Sequence, residues 1–111
     1  MTNQEIYDRV KQHLLTQNEK SQIGADCRYR QDMTAHCKIR CAAGCLIEDS
    51  LYNTKMEGLG FGEEFSYKFH LGFSYEQCKL IRRLQLIHDQ TQVEKWKENL
   101  EKLALRWNLK P

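Results

Sequence analysis

Five cysteines occur among 111 residues, and four of them, Cys27, Cys37, Cys41 and Cys45, fall within one 19-residue stretch. Thiols at that density suit disulfide bonding, metal coordination or thiol chemistry. The count is odd. The start of the chain, MTNQEIYDRVKQHL, is mixed and amphipathic, whereas a secretory signal needs an apolar core of about 7–15 residues. The longest apolar run, Cys41 to Ile47, falls far short of the ~20 residues that cross a bilayer. The expectation is a cytoplasmic protein with reduced thiols. Metal binding is then favoured for the cluster. The rival readings are buried thiols acting as small hydrophobes and a reactive thiol.

Zinc takes four tetrahedral ligands, usually thiolate or imidazole. Cys27, Cys41 and Cys45 supply three. The fourth is either Cys37 or a histidine from elsewhere. His88 is the best candidate, on an apolar stripe with Ile81 and Leu84, where a charged imidazolium is costly. Asp89 reads as a helix-end residue, since neighbours on a helix diverge. Cys78 reads as simply buried. Such a metal is structural. A catalytic zinc keeps an open position beside a general base, and the chain has neither HExxH nor a deaminase-type His-x-Glu motif. Gly58-x-Gly60-x-Gly62 reads as turns, because it is too regular and lacks the helix chemistry that follows a phosphate loop. No catalytic residue is assigned.

The elements that must position these ligands follow from periodicity. Thr2 and Glu5 make a capping box, and Ile6, Val10 and Leu14 then form one helical stripe. Residues 18–26 read as a loop. Cys27 and Tyr29 alternate with Arg28 and Arg30, and Cys37, Ile39 and Cys41 alternate with Lys38 and Arg40. That period of two marks a hairpin. Setting Tyr29 opposite Ile39 places Cys27 opposite Cys41. A short helix over 41–47 then puts Cys41 and Cys45 on one face. Residues 48–73 read as loops with one short helix near 63–69. Ser74 with Gln77, and Thr91 with Glu94, mark two final helices joined by a two-residue gap, a helical hairpin. The predicted architecture is α+β, one domain over 1–111: an N-terminal helix, a cysteine-rich hairpin with a short helix, a loop-rich middle and a C-terminal helical hairpin, held by zinc.

The other hairpin face carries Arg28, Arg30, Lys38 and Arg40, with like charges opposed. Directly opposed like charges are mildly destabilising. They read either as a partner-binding face or as an ordinary solvated edge. Trp96, Leu100, Leu103 and Trp107 read as core. Phe61, Phe65, Tyr67, Phe69, Phe73 and Tyr75 either close the core or form a recognition patch. Hydrophobic residues make up 41% and charged residues 29%, with 17 basic against 15 acidic side chains. The balance holds in both halves, 8 basic against 8 acidic in residues 1–60 and 9 against 7 in 61–111. No tail demands nucleic acid or an anionic membrane.

The stretches Cys27-Arg-Tyr-Arg30, Cys41-Ala-Ala-Gly-Cys-Leu-Ile47 and Leu86-Ile-His-Asp89, with the C-terminal Trp/Leu pattern, resemble a family of small, mostly uncharacterised proteins of tailed phages and prophages. Glu48 stands where that family has proline. The resemblance implies cysteines matching Cys27, Cys41 and Cys45 and a histidine matching His88, and no match to Cys37. It also implies an accessory protein from a pool that includes anti-CRISPR and other anti-defence inhibitors. The function expected is therefore a non-enzymatic, zinc-containing phage protein of the host cytoplasm. It would inhibit a host defence effector, such as a CRISPR–Cas nuclease, by steric protein–protein contact. The alternatives are a nucleic-acid-binding regulator using the basic hairpin face and a metal- or thiol-dependent enzyme.

Overall fold

A computed structural model describes residues 1–32 and 38–111. The side chains of Asp32 and Lys38 lie outside that description, as does Cys37, the alternative fourth ligand. Among the described residues the fold is α+β, four helices with two small antiparallel hairpins. Helix α1 (Asn3–Gln17) starts at the expected box: Thr2 Oγ1 accepts from the Glu5 N–H, and Glu5 returns the bond to the Thr2 N–H. Its stripe of Ile6, Val10 and Leu14 is fully buried, with Tyr7 beside it. Tyr7 pins α1 to the last helix by donating to the Leu100 carbonyl at 3.0 Å.

The segment expected to be a loop contains half of a small hairpin. Strand β1 (Gln22–Ile23) pairs with β2 (Asp26–Cys27), so Cys27 lies opposite Gln22. The second hairpin joins β3 (Arg30–Asp32) to β4 (Lys38–Arg40). Its register differs from the expected one by two residues: Arg30 faces Arg40 and Gln31 faces Ile39. A two-residue slip preserves the side-chain alternation, so periodicity alone could not detect it. It removes Cys27 from the ladder opposite Cys41.

The expected helix over 41–47 is a single 3-10 turn, Gly44–Leu46. Its tightness has a steric cause. A Cβ on Gly44 would stand 2.8 Å from the Tyr29 carbonyl carbon and collide with its oxygen. Helix α2 (Glu63–Lys68) occupies the short-helix position, and α3 (Tyr75–Gln90) starts at the Ser74–Gln77 box as expected. The third box does not form. Thr91 instead ends α3, and its carbonyl accepts from Trp96 Nε1 at 3.2 Å. A 3-10 turn (Val93–Lys95) then leads into α4 (Trp96–Arg106).

Helix α1 packs on α3, α4 and the 44–46 turn, and α3 packs on α4. Trp96, Leu100 and Leu103 lie in this core with Leu80, Ile81 and Leu84, while Trp107 packs partly buried against it. The middle aromatics resolve mostly toward the core: Phe61, Phe65 and Phe69 are buried with their rings tilted against one another, whereas Tyr67 and Tyr75 are exposed. Cys78 is buried, as expected. Among the described residues, no helix is long and apolar enough to cross a membrane.

Candidate metal centre

The chemistry gathers where β2 meets the last turns of α3. Among the described residues, Cys27, His88 and Asp89 form a group whose donor atoms all lie within 4.8 Å of one another. His88 is buried against Trp96, the two rings stacked with centroids 5.5 Å apart. Its two nitrogens have defined partners. The Ser21 N–H donates to Nε2 at 3.0 Å, so the ring proton sits on Nδ1, which donates to Asp89 Oδ1 at 2.7 Å. This corrects the sequence reading of Asp89. Backbone directions of adjacent helical residues do diverge, yet the short carboxylate at the end of α3 turns back to its neighbour.

Gln85 holds that carboxylate in place. Its Oε1 accepts from the Ala43 N–H at 2.9 Å, which fixes the amide orientation. Its Nε2 then donates to Asp89 Oδ1 at 2.8 Å and to Cys27 Sγ at 3.1 Å. Sequence reasoning missed Gln85. The available signal was the spacing Gln85-x-x-His88-Asp89, because residues three and four apart share a helix face.

Cys41, fully buried, lies beside Cys27, close enough for the two thiols to interact. That neighbour, with burial, holds the Cys27 thiol far above its ordinary pKa despite the opposing effect of His88. Such a thiol stays protonated and unreactive unless a metal displaces its proton. Burial works against charge on His88, but its bond to Asp89 and the neighbouring Cys27 outweigh that and raise its pKa. Burial likewise pushes against the Asp89 charge, and the bonds from His88, Gln85 and Cys27 lower its pKa overall.

Cys45, like Cys41, is not among the three residues of this group. Its thiol donates to the Ala42 carbonyl at 3.1 Å, and burial pushes its pKa up to about 12. Its N–H nevertheless bonds to the Cys41 carbonyl at 3.0 Å, the bond of one α-turn, so the two cysteines still lie one turn apart.

A cleft of about 660 Å³ opens over the centre. Cys27, Gln85 and Asp89 line its floor, with Arg28, Leu59 and Arg82 around them. The expected basic face is largely turned inward. Arg30 donates to the Ile47 carbonyl, pairs with Asp49 at 2.8 Å and lies over the Tyr52 ring. Arg40 is buried, 9% exposed. Arg28, 38% exposed at its side chain, stands 3.8 Å from Glu57. The reason is local: the buried Glu57 carboxylate and the 47–52 segment draw the first two strand residues toward themselves.

Comparison of the chain with protein-family models, with curated proteins and with solved structures found no match.

Proposed function

We propose that this chain is a non-enzymatic binding protein whose fold is locked by a structural zinc ion. It acts in the host cytoplasm by sterically blocking a defence effector, a CRISPR–Cas nuclease being the favoured target. The observation that carries the zinc reading is the grouping of Cys27, His88 and Asp89 with Cys41 beside them. Zinc–ligand bonds of about 2.0–2.3 Å put tetrahedral donors about 3.3–3.8 Å apart, within small adjustments of this arrangement. A metal there joins β2, the 41–46 segment and α3.

The non-enzymatic reading is supported by the His88 ring. Its Nε2 lone pair accepts from Ser21 and its Nδ1 proton goes to Asp89, so it is not poised as a general base toward Cys27. The target class rests on the motif resemblance to phage proteins.

Two measurements test the reading. Purified protein should carry one zinc per chain by elemental analysis, and chelation should lower Tm by on the order of 10 °C. Metal-free protein with unchanged Tm in chelator would remove the zinc. Expression in host strains that each carry one type of CRISPR–Cas system should restore phage plating in at least one of them. Unchanged restriction in every strain would remove the inhibitor role.

A further inference from the structure

The Gln85 amide occupies an unusual place. It bonds to Cys27 Sγ and Asp89 Oδ1 at once, and its Nε2 lies 3.4 Å from His88 Nδ1. One N–H₂ group thus sits among three atoms of the kind that ligate zinc. It also lines the floor of the cleft, with Cys27 and Asp89 on the same floor, whereas His88 is sealed beneath. We propose that Gln85 is the latch of the metal centre: its amide bridges Cys27 and Asp89, and zinc, held by Cys27, Cys41, His88 and Asp89, displaces it toward the cleft.

This rests on the zinc reading and sharpens it in two respects. The fourth donor is Asp89, with Cys45 kept out by its bond to Ala42. The centre loads from the cleft side, past a side chain that must move. An amide nitrogen carrying two protons cannot ligate the ion, so it competes with zinc for the same acceptors. A second contact changes with it. Zinc on Nδ1 puts the imidazole proton on Nε2, where it opposes the Ser21 N–H. Loading therefore also releases the Ser21 amide.

The full chain is titrated with Zn²⁺ against a competing chelator, as wild type and as Gln85→Leu, Asp89→Asn and Cys45→Ser. Removing the competing amide should tighten zinc binding about tenfold in Gln85→Leu. Asp89→Asn should weaken it at least tenfold, and Cys45→Ser should leave it unchanged. Wild-type NMR provides a readout independent of variant folding: zinc should shift the Gln85 side-chain amide signals and the Ser21 amide, leaving Gln12 and Gln92 in place. Zinc binding that weakens in Gln85→Leu, with unmoved Gln85 signals, overturns the latch while the metal site stands. Weakening in Cys45→Ser but not in Asp89→Asn overturns the donor set. No zinc binding by the wild type overturns the metal reading and the latch together.

Discussion

Glu57 shows how much one side chain organises here. Its carboxylate accepts from the Tyr29 and Arg30 N–H groups at 2.8 and 3.1 Å and from Tyr52 Oη at 2.7 Å, with Arg28 Nε 3.8 Å away. The side chain is almost fully buried, so these bonds are shielded from water. Burial, then the Glu57 bond, pushes the Tyr52 hydroxyl up to about 12. Glu57→Ala leaves two backbone donors without their acceptor, at about 1–3 kcal/mol each. Urea unfolding should therefore show a loss of about 3 kcal/mol at unchanged m value, and a loss below 1 kcal/mol would contradict this role. The sequence offered no means of finding Glu57, which lies 28 residues from Tyr29 in a glycine-punctuated stretch without period. His88 was legible, because a histidine on an apolar helical stripe needs a partner for its nitrogens. Which partners it has depended on where β2 passes.

Among the elements, those bounded by reciprocal caps were legible and those set by distant contacts were not. Helices α1 and α3 start at the Thr2 and Ser74 boxes, because four consecutive residues suffice to make each box. The Thr91–Glu94 pattern has the same composition and fails, since the Thr91 N–H that the Glu94 side chain would bond is already given to the Ile87 carbonyl at the end of α3, and the chain there turns in 3-10 form. The 44–46 turn is fixed by the Tyr29 backbone pressed against Gly44. Gly44→Ala forces that backbone to retreat, and overpacking of this kind costs about 1–3 kcal/mol or more. The expected result is a Tm lower by on the order of 10 °C, whereas Gly60→Ala, where a Cβ meets open space, should change Tm little. Equal effects at the two glycines would refute the close-approach argument.

For the molecule as a whole, the seam between α1 and β4 sets an acid limit on stability. His13 is largely buried there, and its Nε2–H donates to the Arg40 carbonyl at 3.0 Å, beside a Gln17 side chain that bonds the same carbonyl and the Arg40 N–H. Burial lowers the His13 pKa below 6.5, outweighing that bond. The folded state therefore binds this proton less readily than the unfolded chain. Its contribution to stability is complete above about pH 6.5 and is lost as pH falls from there through the folded value. Wild type should lose more stability than His13→Gln between about pH 7 and pH 5, measured by urea unfolding across that range. Parallel pH profiles would show that His13 does not set this limit.

What the sequence determined by itself was local and periodic: the caps and stripe of α1, the start of α3, and the burial of Cys78, Trp96 and Leu100. Each depends on residues within a turn or two of one another, or on an apolar face wide enough to require covering. The strand expected through Cys27–Arg30 instead breaks at 28–29, and Ile39, Arg40 and Cys41 are all buried rather than alternating. The tertiary structure decided the two-residue register of the second hairpin, the inward turn of Arg30 and Arg40, and the joining of Asp89 and Gln85 to Cys27. Alternation is unchanged by a shift of two, and whether a thiol reaches a site depends on the path of backbone pieces far apart in the chain. Residue type and spacing could therefore nominate Cys27, Cys41 and His88, and only the packing of β2 against the end of α3 could select the side chains that stand around them.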